Sequence, residues 1–274
     1  MWLIKIFVKI MLSTLPISNK IWRIFSLFEH GRMLDIKYAY KVFNSHFKHF
    51  RKISDTPTIL ELGPGDSLFS GIFSWNNGCR SILIDTDKFA EKALNKYISQ
   101  IYASSVDIDK LSKLEADDWL SKIGCTYLTD GLNSIKLLPD ESIDFIFSQA
   151  VMEHIFKEQY ESYVEEMYRV LKRGGVSSHR IDYKDHLASS LNNLRFSDNI
   201  WESNVFRNSG FYTNRLRASQ TLNIFERAGF VVSVIKTEKF DGMPLDKADL
   251  DIQFRDLDET DLIISGINLL CFKQ

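Results

Sequence analysis

Cysteines are scarce in this chain of 274 residues: there are three, far apart in sequence and without a Cys-x-x-Cys pair. This scarcity argues against a disulfide framework and against a structural zinc site, and we expect no metal ion. No apolar run reaches the roughly 18 residues that a membrane-spanning helix requires. The net charge of −2 gives no indication of a nucleic-acid partner, so none is expected. What remains is an ordinary globular composition, of a length that favours one domain with additions.

Basic residues are concentrated near the amino end of the chain. Residues 1–52 contain ten Lys or Arg and two acids, a balance of +8, which leaves −10 for the other residues. The apolar stretches with interspersed Lys and Arg at residues 1–28 suit helices lying in an anionic membrane interface, and equally helices packed on the domain. Lysines interrupt the apolar core, so we expect no cleaved signal peptide. We predict a basic, apolar helical segment at 1–52 of a cytoplasmic protein, with peripheral contact at the inner membrane face and internal packing both left open.

The segment 59–67 carries the most informative pattern: an apolar strand, an acid and a Gly-x-Gly turn, read as Ile-Leu-Glu-Leu-Gly-Pro-Gly-Asp-Ser. Gly63 and Gly65 can adopt positive φ and admit a ligand close to the backbone. Asp85 ends a second predicted strand twenty residues after Gly65. A carboxylate at that position can accept two hydrogen bonds from a ribose diol. The pattern predicts a site for a nucleotide-like cofactor.

Nicotinamide dinucleotides and S-adenosylmethionine both bind to this arrangement of strand, turn and helix. Two residues indicate which of the two cofactors this chain binds. A dinucleotide site requires a third glycine for close helix–strand packing, and Leu68 occupies that place. Glu61 favours a ligand with positive charge, such as the amino group and sulfonium of S-adenosylmethionine. We therefore expect S-adenosylmethionine rather than a nicotinamide cofactor.

Further motifs follow the Gly-x-Gly turn in a fixed order. They are Leu83-Ile84-Asp85, the segment from Leu138 to Ser148, Val151-Met152-Glu153-His154-Ile155, and the segment from Tyr168 to Gly175. Together with Glu61-Leu62-Gly63-Pro64-Gly65 they resemble the class I S-adenosylmethionine-dependent methyltransferases, over about residues 57 to 238. The departure is Ser67, where the family often has another glycine.

The resemblance implies an α/β fold with a Rossmann-like seven-stranded sheet. Its strand order would be 3-2-1-4-5-7-6, with the last strand antiparallel, preceded by N-terminal helices. The methyltransferase domain would then span 53–274, with insertions near 101–124 and 187–217.

Cofactor-binding residues are expected at the carboxyl ends of the parallel strands, where ligands of open α/β sheets gather. Glu61, Gly63, Gly65 and Asp85 follow from the residues themselves. The resemblance adds Asp130, after the third strand, as the carboxylate near adenine. The remaining predicted cofactor residues, at the end of the fourth strand, are Ser148 and Gln149.

Transfer to a hydroxyl also needs a base that removes a proton. His154 follows the fourth strand, and its alternative role is structural. His179, Asp182 and His186 leave the end of the fifth strand, where Asp182 could orient His186 as a base. This cluster could instead bind a metal or serve only the structure.

Residues 187–217 form a long segment rich in aromatic, amide and guanidinium groups, which suits a sugar or an anionic group. The alternative is a lid folded on itself. We expect a methyltransferase acting on a hydroxyl or carboxylate of a small molecule, glycan or lipid-linked saccharide. A non-catalytic S-adenosylmethionine-binding scaffold and a nicotinamide oxidoreductase are the alternatives.

Overall fold

A computed structural model of the chain describes residues 6, 10, 32–90, 94–102 and 118–274. Its centre is a seven-stranded sheet in the order β3-β2-β1-β4-β5-β7-β6, which confirms the predicted topology. Neighbouring strands among β1 to β5 pair in parallel, whereas β7 is antiparallel to both β5 and β6. The strands are β1 Thr58–Leu62, β2 Arg80–Ile84, β3 Cys125–Leu128, β4 Ile143–Gln149, β5 Leu171–Asp182, β6 Val231–Lys239 and β7 Ile264–Phe272.

Helices cover both faces of this sheet. In the described residues the α-helices, numbered α1 to α11 in chain order, are Ile36–Phe47, Phe69–Asn76, Leu94–Tyr102, Trp119–Lys122, Gly131–Lys136, Tyr160–Val170, Asp198–Trp201, Asn204–Arg207, Ala218–Arg227, Ile252–Arg255 and Glu259–Leu262. Short 3-10 turns lie at Met152–His154, Lys157–Gln159, Asn192–Arg195 and Lys247–Asp249. Within the described ranges, no helix is both long and apolar enough to span a bilayer.

Two apolar clusters hold the layers together. Helices α1 and α2 pack on one face through Phe43, Phe73 and Phe147. Helices α6 and α9 pack on the other face through Val164, Met167 and Phe225. The side chains of β4 are buried from Ile143 to Ser148, as expected for a strand covered on both faces.

Tertiary contacts lie at the start of two helices. Residues 87–90 are not helical, the Tyr127 hydroxyl donates to the Asp87 carbonyl and accepts from Ala90 N–H, and α3 is described from Leu94. The N-cap of α9 is Arg217, and the nearby Ser219 hydroxyl donates to the Asp261 carboxylate.

The N-terminal segment is described at Ile6 and Ile10, both helical. Ile6 is buried in a cluster with Leu187, Trp201 and Phe211, and Ile10 packs against it. At these two positions the segment packs on the 187–217 region. The other predictions for residues 1–31 lie outside the described residues, as does most of the insertion near 101–124.

Candidate active site

The turn after β1 has the backbone that a close ligand contact requires. Gly63 and Gly65 have φ of 68° and 66°, and Gly63 N–H donates to the Ile84 carbonyl at 2.8 Å. A Cβ on Gly63 would lie 2.4 Å from Cγ2 of Val151, in the segment after β4. The turn is therefore a narrow cradle between β1, β2 and β4 that only glycine fits at this position.

Asp85 lies directly after β2 and closes one side of the cradle. Its carboxylate accepts from Gly65 N–H at 3.0 Å and from Thr86 N–H at 2.8 Å. Burial raises the pKa of Asp85, and the two backbone donors oppose that shift. Two hydrogen bonds leave lone pairs on the carboxylate available for a diol.

Glu61 lies beneath the same turn and is buried. Its Oε2 has no hydrogen-bond partner among the described residues. Burial raises the pKa of Glu61 to about 8, and nearby Asp85 raises it further. A buried carboxyl with an open oxygen beside a glycine cradle fits a cofactor that brings donors or positive charge.

The adenine end predicted after β3 is open to solvent. Asp130 is exposed and accepts from Asn133 Nδ2 at 3.3 Å. The adjacent Gly131 N–H donates to the Asp85 carbonyl at 2.9 Å, which joins the β2 and β3 ends. The predicted cofactor residues after β1, β2 and β3 thus lie along one edge of the sheet.

The residues at this edge of the sheet fall within a region that is similar to a known protein family. A family model described as a methyltransferase domain matches residues 60–178, which include the glycine turn, Asp85 and β4. The chain therefore carries a methyltransferase domain over these residues, which agrees with its predicted resemblance to the class I S-adenosylmethionine-dependent methyltransferases. It is therefore an enzyme of the methyl-transfer class, and its cofactor is S-adenosylmethionine.

No curated protein matches the methyltransferase. Among solved structures, a methyltransferase from Methanosarcina mazei is 13% identical over 81% of this chain and 94% of that chain, with a TM-score of 0.49. One from Archaeoglobus fulgidus is 13% identical over 92% and 98%, with a TM-score of 0.48. A phosphoethanolamine N-methyltransferase from Haemonchus contortus, with S-adenosylhomocysteine, is 15% identical over 85% and 52%, with a TM-score of 0.49. At such low identities none of them bears on the acceptor.

At the end of β4 the methyltransferase places two predicted residues on opposite faces. Ser148 is buried, and its hydroxyl is hydrogen-bonded to His179 Nδ1 at 2.8 Å. Gln149 is half-buried, and its Oε1 is 3.1 Å from His46 Nε2. The side chain of Ser148 is thus committed to the core, so only its backbone could serve the cofactor.

His179 is misplaced for the catalytic role predicted for it. It is fully buried, its Nε2 is 2.6 Å from Ser177 Oγ, and its ring packs on Phe225. Burial lowers the pKa of His179 to about 3, so it stays neutral. With both ring nitrogens engaged by serines on the α9 side of the sheet, it supports packing rather than acceptor chemistry.

Glu153, which was not among the residues predicted for the site, is a buried carboxyl in the short turn after β4. It is buried, and neither carboxyl oxygen has a hydrogen-bond partner in the described part of the chain. Burial raises the pKa of Glu153 to about 8, Asp182 raises it further and Arg180 lowers it. The nearby backbone groups of Glu153 and Asp182 also lower the pKa of this carboxyl, although neither is close enough or well enough aligned to form a hydrogen bond with it.

The turn that carries Glu153 is held from both sides. Asn214 N–H donates to the Glu153 carbonyl at 2.8 Å, and Asn214 Nδ2 donates to the carbonyls of Met152 and Ile155. Val151, two residues earlier, contacts the glycine cradle. The buried carboxyl is therefore fixed between the cofactor turn and the end of β5.

His154 and His186 lie together at the exposed side of this turn. Their rings pack edge to face with centroids 4.8 Å apart, and His154 Nδ1 is 3.1 Å from the Tyr212 carbonyl oxygen. Asp182 accepts from Lys184 N–H at 3.0 Å, with Lys184 Nζ at 3.6 Å. A cavity of about 410 Å³ opens here, lined by Asp182, Lys184, Asp185, His186, Leu187, Ala188 and Ser189. That Asp182 orients His186 stays a prediction.

The polar residues of the 187–217 insertion mostly bind one another, as in a lid folded on itself. Trp201 Nε1 donates to the Thr213 carbonyl at 2.7 Å, and Tyr212 donates to Glu202 at 2.8 Å. Arg215 is buried against Trp201 and paired with Asp198. The alternative of an aromatic sugar platform is not supported at Trp201 or Tyr212, because both rings are buried.

Arg217 fixes the end of this insertion to the sheet. Its guanidinium is buried and donates to the carbonyls of Tyr183, Leu262 and Ile264 at 3.0, 3.0 and 2.6 Å. Arg217→Met should lower the free energy of unfolding by about 3 kcal/mol or more, because three buried carbonyls lose their donors. Urea unfolding measures this loss. Arg227→Met, at an exposed arginine paired with Glu161, is the control and should cost at most about 1 kcal/mol; equal losses would contradict the prediction.

Proposed function

We propose that this enzyme transfers the methyl group of S-adenosylmethionine to a hydroxyl of a small molecule, glycan or lipid-linked saccharide. The cofactor, when bound, supplies a methyl group on a sulfonium that leaves as a neutral thioether. The observation that carries the choice of a hydroxyl is the buried, unpartnered carboxyl of Glu153 beside the cofactor turn. A hydroxyl acceptor must lose its proton, whereas the predicted alternative, a carboxylate acceptor, has none to lose.

Each end of the cofactor has residues of fitting chemistry. Asp85 would accept from the ribose hydroxyls, and Asp130 would lie near the adenine. The cradle of Gly63 and Gly65 would admit the middle of the molecule close to the backbone. Glu61 would lie beneath it and favour its positive charge.

At the acceptor end, Glu153 would receive the hydroxyl proton. The acceptor O–H bond would break as its oxygen takes the methyl group that the cofactor, when bound, would supply. Asp182 and His186 line the cavity, and His154 packs on His186; these three are the other candidates for holding the acceptor or relaying its proton. Alignment of these groups before reaction supplies a large share of the rate in such transfers.

Titration calorimetry with S-adenosylhomocysteine, and NAD as the competing ligand, tests the cofactor site. We expect micromolar binding of S-adenosylhomocysteine and none of NAD. Asp85→Asn should weaken binding roughly 10- to 100-fold, since a charged acceptor of two hydrogen bonds is lost. Asp87→Asn, on the same loop but exposed, should leave it unchanged. Binding of NAD alone would overturn the proposal.

The membrane contact predicted for residues 1–28 remains a separate proposal. Ile6 and Ile10 pack on the 187–217 region, which supports internal packing at those two positions. Cosedimentation with vesicles containing anionic lipid, compared with neutral vesicles, decides between the two readings. Equal recovery with both vesicle types would remove the membrane proposal.

A further inference from the structure

His46 is a buried histidine of helix α1 that reaches the carboxyl ends of β4 and β5. Its Nδ1 is 2.8 Å from Ser178 Oγ, and its Nε2 is 3.1 Å from Gln149 Oε1. Its ring stacks on Phe147 with centroids 5.3 Å apart. Three contacts on two strands hold the imidazole in one orientation.

This arrangement fixes the hydrogen-bonding roles. Gln149 Oε1 only accepts, so His46 Nε2 carries the proton and donates to it. His46 Nδ1 then accepts, and the Ser178 hydroxyl donates to it. Burial lowers the pKa of His46 to about 4, so the ring is neutral with a single proton to place. The amide NH2 of Gln149 has no hydrogen-bond partner in the described part of the chain and is left as a donor.

The position of Gln149 indicates which part of the ligand it meets. Leu62 pairs with Ser148 across β1 and β4, so Gln149 is level with Gly63, one residue further along. In the sheet order β3-β2-β1-β4, the ribose and adenine residues lie at the ends of β2 and β3, on the other side of β1. The end of β4 therefore faces the amino-acid end of the cofactor rather than its adenosine end.

We propose that His46 is a positioning residue: it holds Oε1 of Gln149 so that the amide NH2 donates to the amino-acid moiety of the bound cofactor. The inference rests on the proposed cofactor site. It makes helix α1, which precedes the first strand, part of that site through one hydrogen-bonded side chain. It also explains the burial of a histidine that has no acidic partner in its hydrogen bonds.

The test compares two ligands by titration calorimetry. S-adenosylhomocysteine has the amino-acid moiety, whereas 5′-methylthioadenosine lacks it. Gln149→Ala and His46→Phe, which keeps a ring against Phe147, should each weaken S-adenosylhomocysteine about 5- to 10-fold, the usual effect of one hydrogen bond. Both should leave 5′-methylthioadenosine unchanged. The double variant should lose less than the product of the two losses, because the residues act on one contact.

The outcomes separate the inference from the proposed function. If the wild-type chain binds neither ligand, the cofactor site itself is wrong and the inference falls with it. If the wild type binds both, and Gln149→Ala binds S-adenosylhomocysteine as tightly as the wild type, only the inference is overturned. Gln149 is half-buried, so its variant gives this answer even if His46→Phe does not fold. Equal weakening of the two ligands would also overturn it. His49→Ala, two residues after the end of helix α1, is the control and should match the wild type.

Discussion

Glu153→Gln is expected to lower the turnover number of methyl transfer roughly 100- to 10,000-fold, the usual contribution of a positioned base. Glutamine has the same shape as glutamate but cannot accept a proton. The affinity for S-adenosylhomocysteine should stay within about twofold, because the residue serves the acceptor and not the cofactor. The measurement is steady-state transfer to an acceptor found in a screen of hydroxyl compounds, including glycans and lipid-linked sugars.

The dependence on pH provides a second readout of the same carboxyl. A proton acceptor works only when deprotonated, and burial raises the pKa of Glu153 to about 8. The turnover of the wild-type enzyme should therefore rise with pH up to about 8. A histidine base of ordinary pKa would give a rise near pH 6.5 instead. If the rise of turnover toward pH 8 is absent in Glu153→Gln, that rise is assigned to the Glu153 carboxyl.

The free energy of unfolding should fall as pH rises, in contrast to the turnover. The folded chain keeps a proton on Glu153 up to about pH 8, whereas the unfolded chain releases it near 4.5. The folded state therefore binds more protons between these values, and stability falls as pH rises through that window. Glu61, whose pKa is also raised to about 8 by burial, adds a similar loss. The melting temperature of Glu153→Gln should fall less than that of the wild type between pH 5 and pH 9.

Glu158→Gln is the matched control for these measurements. Glu158 lies five residues further along, is exposed and is paired with Arg207. Its substitution should change neither turnover nor the pH profile. If Glu153→Gln retains more than half of the wild-type turnover, the proton must go elsewhere, and His154 or His186 becomes the first candidate.

The order of the strands followed from the resemblance to the class I methyltransferases, and the sheet has that order. Gly63 and Gly65 have the positive φ that the Gly-x-Gly turn indicated, which is a local signal because it arises from the conformational freedom of glycine. Contacts between residues distant in sequence gave no such signal, as where Tyr127 holds the loop before α3.

Side-chain roles at the site were less predictable because they depend on which face a residue meets. Position 179 looked like a base at a strand end, yet its register places the ring in the α9-side core. Glu153 stood one residue before the predicted His154, and only its burial without partners distinguishes it. His46 gave no local signal, since its partners lie more than 100 residues away. Such long-range pairings are a property of the fold and cannot be read from spacing.

Gly63→Ala should weaken the binding of S-adenosylhomocysteine roughly 100-fold or more. Two effects destabilise the turn in this variant. The first is backbone strain, because the left-handed conformation at φ of 68° costs a residue with a Cβ about 1–2 kcal/mol. The second is overlap, because the new Cβ would lie 2.4 and 2.8 Å from the two Cγ atoms of Val151. Relief of the overlap requires the turn or the segment after β4 to move, which distorts the cradle. Every 1.4 kcal/mol lost is a factor of ten in affinity.

A rescue experiment separates the two costs. Gly63→Ala with Val151→Ala removes the overlapping methyl groups but keeps the backbone strain, so it should recover part of the affinity and not all. Gly242→Ala, where a Cβ would meet no atom within 4 Å, is the control and should bind like the wild type. If Gly63→Ala binds the thioether normally, the ligand does not approach this turn, and Asp85 would have to serve a site on another side of β2. If the double variant recovers everything, steric overlap alone closes the cradle, and the left-handed backbone at residue 63 costs nothing that binding can detect.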